Sequence, residues 1–165
     1  MTIYLASDHA GFELKEKVKK FLVDSGYTVK DFGAHTLNPN DDYPDFIRKA
    51  ALAVASDPEH SRGVVLGGSG QGEAMVANRV RGVRAAVYYS PAVAHTPSEA
   101  LAKGGAKDGG TPLSIITLSR EHNDANILSL GARFLTEEQA IHAVKLWLET
   151  PFSNEERHKR RIAKF

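Results

Sequence analysis

Five short apolar runs are separated by stretches of helical periodicity, and this alternation holds the chain to a parallel β-sheet with helices on both faces. Parallel neighbours cannot be joined by a tight turn, so each crossover needs a helix or a long loop. Thr2 to Ala6 reads as a buried strand that ends in the polar turn Ser7-Asp8-His9-Ala10-Gly11. Phe12 to Asp24 spaces Phe12, Leu14, Val18, Phe21 and Leu22 among Lys and Glu, an amphipathic helix, with Gly26 at its C-terminal cap. Tyr27 to Phe32 alternates as a strand. Gly33 to Tyr43 is loop, punctuated by Asn38-Pro39-Asn40-Asp41-Asp42. Pro44 opens a helix to about Ser56 that buries Phe46, Ile47, Ala50, Ala51 and Val54. Gly63 to Leu66 is the third strand, Glu73 to Arg79 the start of the third helix, and Val83 to Tyr89 and Asn126 to Leu130 the last two strands. Thr136 caps a helix through Glu149, with Glu137, Glu138 and Gln139 in its first turn. Pro151 breaks the chain before a basic terminal helix.

Ser90 to Leu113 departs from this rhythm. It holds Pro91, Pro97, Gly104, Gly105, Gly109, Gly110 and Pro112. So long an irregular stretch is either a surface excursion or a functional one, a lid or a subunit contact.

Chemistry concentrates at Gly67-Gly68-Ser69-Gly70-Gln71-Gly72-Glu73, where an apolar run turns into a helix. Five of these seven residues are Gly or Ser, so the backbone can turn tightly and present N–H groups to an anion. A carboxylate at Glu73 adds little to static anion binding. It makes sense where a proton moves beside an oxyanion. The helix N-terminus favours the charged form of Glu73, and desolvation favours the neutral one. In a parallel α/β sheet, ligands sit beyond the carboxyl ends of the strands, so the Asp8-His9 turn and this loop should meet at one edge.

Each piece alone also has a plainer reading. The loop lacks both the Gly-Lys-Ser/Thr of a Walker A sequence and the G-x-G-x-x-G dinucleotide spacing, and a tight connection would look the same. Asp8 can be a helix cap, Glu73 a first-turn glutamate, His122-Asn123-Asp124 a polar turn, and Arg157, His158 and Arg161 a solvated tail. No His, Asp and Glu set has metal-ligand spacing, and no nucleophile elbow surrounds Ser69. Together, an anion-stabilising loop, an adjacent carboxylate and an Asp/His pair match proton abstraction next to a carbonyl.

Composition narrows the alternatives. The 165 residues suit one domain with a full core. Cys is absent, which excludes disulfides, thiolate zinc sites and a cysteine nucleophile. The N-terminus reaches Asp8 and His9 without a basic n-region, and no apolar run nears a membrane span, so a cytoplasmic protein without membrane contact is expected. A net charge of +1 gives no reason to expect nucleic acid. The basic C-terminus, with Arg157, His158, Lys159, Arg160, Arg161 and Lys164, is a local exception.

Ser7-Asp8-His9-Ala10-Gly11, Asp42-Tyr43-Pro44, the Gly67 to Glu73 loop, Ala77-Asn78-Arg79, Gly82-Val83-Arg84-Ala85 and Arg120-Glu121-His122-Asn123-Asp124-Ala125-Asn126 resemble, in order, the ribose-5-phosphate isomerase B family, which also includes galactose-6-phosphate and allose-6-phosphate isomerases. The resemblance covers nearly the whole chain. It implies an α/β fold, a doubly wound three-layer sandwich with a five-stranded parallel sheet, Rossmann-like. Residues 1–150 would form the isomerase domain, and 151–165 a basic helix of the same domain that crosses to a partner subunit. The assembly would be a homodimer or homotetramer with shared sites, and no metal or organic cofactor would be needed.

By position, Asp8 and His122 would open the sugar ring, His122 from the partner, and Glu73 would carry a proton between C1 and C2. Gly68, Ser69, Gly70, Gly72 and Asn123 would stabilise the enediolate. His9, Arg133, Arg157, His158 and Arg161 would bind phosphate, and Tyr43 would line the sugar pocket. Many members carry a Cys base where this chain has Gly67, so this chain resembles the branch that uses Glu at position 73. The Pro91 to Leu113 loop is longer than in the family. The resemblance implies interconversion of ribose 5-phosphate and ribulose 5-phosphate through a cis-enediolate. The same chemistry on allose 6-phosphate, galactose 6-phosphate or a tetrulose phosphate, and a non-catalytic sugar-phosphate-binding subunit, are the alternatives.

Overall fold

Five strands, all parallel, form one sheet in the order β2-β1-β3-β5-β4 in a computed structural model that describes residues 1–89 and 114–165. The strands are β1 Thr2–Ser7, β2 Thr28–Asp31, β3 Ser61–Gly67, β4 Ala85–Tyr88 and β5 Ile127–Gly131. Six helices accompany them among the described residues: α1 Phe12–Asp24, α2 Tyr43–Ser56, α3 Gln71–Ala77, α4 Ile115–Glu121, α5 Glu137–Glu149 and α6 Glu156–Ile162. The Ser90 to Leu113 stretch, read as a surface excursion, a lid or a subunit contact, lies outside the described residues.

Alternation along the strands sends side chains to two cores. Ile3, Leu5, Val64, Leu66, Leu128 and Leu130 face one side, where Val18 and Leu22 of α1, Ile116 of α4 and Ala140, Val144 and Trp147 of α5 cover them. Ala6, Val65 and Ile127 face the other, under Ile47, Ala50, Ala51 and Val54 of α2 and Ala77 of α3. Burial of each large side chain contributes roughly 1.5–3 kcal/mol relative to exposure. Helices on both faces of a parallel sheet make the expected doubly wound sandwich.

Local differences from the sequence reading have identifiable causes. Helix α4 escapes the sequence because it is seven residues long and buries Ile116, Ser119 and Arg120, which leaves no apolar stripe. Strand β3 begins at Ser61, two residues before its apolar run, because Thr2 and Ile3 supply partners for Ser61 and Arg62. Helix α3 starts at Gln71 and stops at Ala77, ahead of the expected Glu73 to Arg79, because Gly70 takes a left-handed φ of 76° and turns the chain at once. Thr136 caps α5 as expected, with a complete capping box through Gln139.

The strand order reverses direction between β1 and β3. From β1 the chain steps outward to β2, then crosses to β3 on the opposite side. Their carboxyl ends therefore open a crevice. Asp8 follows β1 and the glycine-rich loop follows β3.

Candidate active site

Gly11 brings the two turns together. A Cβ there would lie 2.6 Å from the Leu66 carbonyl carbon, so only glycine lets the turn after β1 rest on the end of β3. Within that turn Asp8 is buried, and its Oδ1 accepts from the N–H groups of Ala10 at 3.0 Å and Gly11 at 3.3 Å. Asp8 is thus a turn residue as well as an acid held in place. The N-cap of α1 is Gly11, not Asp8.

Glu73 lies in the first turn of α3 and is 4% exposed. Its carboxyl occupies the space a side chain at Gly67 would fill, and a Cβ there would overlap it outright. The carboxylate therefore sits against the β3 backbone where the loop begins. Burial pushes its pKa above the ordinary 4.5, its own backbone N–H partly offsets this, and the charge of Asp8 pushes it up further. Of the two opposed influences on Glu73, desolvation wins. The result is a carboxylate that holds a proton more tightly than a solvated one, as a group that accepts and returns protons needs.

The rest of the loop is built by close approach. Gly70 cannot accept a Cβ without meeting the Leu130 backbone, and its carbonyl accepts from the buried Ser129 hydroxyl at 2.7 Å. A Cβ at Gly72 would lie 2.7 Å from the Tyr43 hydroxyl, and one at Gly68 would lie 3.2 Å from the Arg133 guanidinium carbon. Tyr43 and Arg133 thus flank the loop. Arg133 donates its backbone N–H to the Gly68 carbonyl at 3.1 Å, which ties the end of β5 to the loop after β3. Ser69 Oγ accepts weakly from Gln71 N–H at 3.3 Å.

His9 completes this edge with a partner the sequence reading missed. Asp41 Oδ1 accepts from the His9 backbone N–H at 3.0 Å and lies 2.6 Å from the ring Nδ1. That hydrogen bond raises the His9 pKa against partial burial, Asp8 adds to the rise, and the Arg133 charge opposes it. The loop residue Asp41 carried no sequence signal beyond its place in a turn; only folding brings it 32 positions back to His9. Asp8, His9 and Asp41 are also the one group among the described residues whose potential metal-donor atoms all lie within 4.8 Å of one another. The 2.6 Å contact is a hydrogen bond, closer than the roughly 3 Å between neighbouring donors on one cation, and the adjacent Arg133 charge disfavours a cation.

The remaining predicted residues lie elsewhere. His122 caps the C-terminus of α4, before β5, and therefore at the amino edge of the sheet. Asn123 is exposed there and its carbonyl accepts from Arg84 Nε at 3.0 Å. The 151–165 segment packs on this same edge, with Ser153 N–H donating to the Glu121 carbonyl at 3.1 Å. His158 is buried and stacks on His122, ring centroids 4.3 Å apart and planes within 12°. Burial lowers its pKa, and His122 and Arg157 lower it further. Arg157 lies 2.7 Å from Glu155, and Arg161 is exposed. The chain therefore carries two groups, Asp8, His9, Tyr43, Ser69, Glu73 and Arg133 at the carboxyl edge and His122, Asn123, Arg157, His158 and Arg161 at the amino edge. The five residues of β5 separate them by on the order of 15 Å.

A carboxylate of raised pKa beside a glycine-rich loop, at the crevice of a doubly wound sheet, defines an acid–base enzyme that acts on a small anionic substrate. The chain belongs to the ribose/galactose isomerase family, which it matches over residues 3–101 and 113–165. The gap between those ranges falls inside the long irregular stretch. Ribose-5-phosphate isomerase B of Mycolicibacterium paratuberculosis is 40% identical over 98% of this chain and 87% of its own. The Mycobacterium tuberculosis protein of the same name is 38% identical over 98% and 86%. Among solved structures, ribose-5-phosphate isomerase B of Mycoplasma genitalium with bound ribulose-5-phosphate superposes with a TM-score of 0.81 at 33% identity, over 99% of this chain and 92% of that one. The Clostridium thermocellum protein gives 0.80 at 40% identity, over 99% and 94%.

Proposed function

We propose that this chain interconverts ribose 5-phosphate and ribulose 5-phosphate, an aldose–ketose isomerisation through a cis-enediolate. The observation that carries the reading is the Glu73 carboxyl, buried against Gly67 with its pKa raised, at the mouth of the β1/β3 crevice. Family membership and the relatives' names support the substrate class.

Asp8 and His122 open the sugar ring by moving a proton between the ring oxygen and the anomeric hydroxyl. Glu73 then takes the C2 proton as the C1 carbonyl gains charge. Donors from the Gly68, Ser69, Gly70 and Gly72 backbone, the Ser69 hydroxyl and Asn123 hold that charge. The O2 hydroxyl proton passes to O1, and Glu73 returns its proton to C1. His9 and Arg133 grip the phosphate, joined by Arg157, His158 and Arg161, and Tyr43 lines the sugar pocket.

Because His122 and the 157–161 cations sit at the opposite edge from Glu73, they serve the site of a partner subunit. The 151–165 segment crosses with them, and the working unit is a homodimer or homotetramer.

The test is turnover of ribose 5-phosphate by the purified protein with chelator present. Conversion to ribulose 5-phosphate supports the reading; its absence, with turnover of a hexose phosphate, would reassign the substrate. In Glu73→Gln, kcat is expected to fall by about 10²–10⁴, the worth of a positioned general base, while competitive inhibition by inorganic phosphate persists.

A further inference from the structure

Two loops distant in sequence meet through one carboxylate. Asp41 Oδ1 accepts from both the backbone N–H and the ring Nδ1 of His9. The Asp41 side chain is 9% exposed, and its other oxygen is buried with no partner among the described residues. A carboxylate so buried is costly unless a neighbouring cation compensates it. The His9 ring, 2.6 Å away, is that cation when both ring nitrogens carry protons. With Nδ1 donating to Asp41, Nε2 is the ring nitrogen left for a ligand, and the His9 side chain is 31% exposed. The adjacent Asp42 does something different, for it is the N-cap of α2 and its side chain makes no cap bond.

We propose that Asp41 is the positioning residue of the anion-binding imidazole: it locks the His9 ring with Nδ1–H donated inward and Nε2–H presented to the substrate phosphate, and keeps that ring cationic. The inference rests on reading His9 and Arg133 as the phosphate pair. Three charged groups face the His9 ring. Asp41 at 2.6 Å and Asp8 at 4.0 Å favour its protonation, and Arg133 opposes it. Without Asp41, two cations would be left to share one site, and the imidazole is the one that can shed its proton. Asp41 thus lets His9 and Arg133 stay charged together, which a phosphate dianion requires.

The test is an NMR titration of the His9 ring, assigned by its loss in His9→Gln, in wild type and Asp41→Asn, with and without inorganic phosphate. The asparagine oxygen still accepts from the His9 N–H, so the loop anchor survives while the charge is removed; thermal melts of both proteins check this. In Asp41→Asn the His9 pKa is expected to fall by about one unit, and the Kd for inorganic phosphate at pH 7.5 to rise about tenfold. The KM for ribose 5-phosphate should rise in step, with the larger share of the lost kcat/KM in KM. An unchanged His9 titration and phosphate Kd would overturn the proposal while leaving the isomerase reading intact. A wild-type His9 pKa at or below 6.5, or one that phosphate does not move, would overturn it without recourse to any variant. Phosphate binding that depends on Asp41 in a protein with no isomerase turnover would support it and sink the substrate assignment instead.

Discussion

Glu73 and Gly67 are one unit. The carboxyl fills the volume that any side chain at Gly67 would need, so Gly67→Ala is expected to displace the proposed base and lower kcat by about 10²-fold or more, with KM changed far less. Steady-state kinetics on ribose 5-phosphate would check the split. The raised pKa of Glu73 also couples activity to stability with opposite signs. As the proposed base, Glu73 works only when ionised, so kcat/KM should rise with pH through a value above the ordinary 4.5. A group whose folded pKa is raised contributes stability below its unfolded pKa, and that stability is lost as pH rises through the folded value. Glu73→Gln should therefore melt higher than wild type at pH 8 and lose that advantage near pH 4. Equal melting curves at both pH values would show that burial of this carboxylate costs the fold nothing.

Between elements, the loop that delivers Asp41 and Tyr43 hangs on a buried ion pair. Lys15 of α1 is fully buried, and its Nζ bonds both Asp31 oxygens, at 2.9 and 2.8 Å, and the Ala34 carbonyl at 2.6 Å. Lys19 adds a 2.8 Å contact to Asp31. One end of the 33–42 loop is thereby pinned to α1, and the other is held by His9. Burial works against ionisation of Asp31, but the Lys15, Lys19 and Gly33 donors prevail and hold its pKa below 3.8. That stability is present above the unfolded pKa and is lost as pH falls through the folded one, so it should disappear only in strong acid. Lys15→Met leaves a buried carboxylate with one cation fewer. It is expected to cost about 3 kcal/mol, seen as a lower urea midpoint with unchanged slope, and to raise KM through the loosened loop.

For the proposed assembly, the two groups of proposed site residues sit at opposite edges of one sheet, and a two-fold partner is the economical way to bring them together. Subunit complementation tests this directly. Glu73→Gln and His122→Ala should each be inactive alone. Refolded together at equal ratio, half of the dimers carry one of each chain, and each of those holds one site with both residues intact. About a quarter of wild-type activity is expected to return. No recovery in mixed dimers would place the complete site within one chain. Among the described residues, no helix is long and apolar enough to cross a membrane.

Much of this protein was legible in residue order. The strand and helix alternation, the N-cap at Thr136 and the glycine-rich turn into Glu73 are local patterns, set by neighbours a few positions apart, and each recurs in the folded chain. Helix α4 was not legible, because two of its three buried residues are polar and their partners come from other elements. Nor was the pairing of Asp41 with His9, which depends on how the loop after β2 folds back across the sheet. Sequence placed two opposed influences on Glu73 without ranking them. Their ranking came from burial against Gly67, a contact between residues that β3 and α3 set face to face. Local patterns determine which elements form and which chemistry they carry. Long-range contacts, set by sheet order and burial, decide which of those groups share a site and in which charge state.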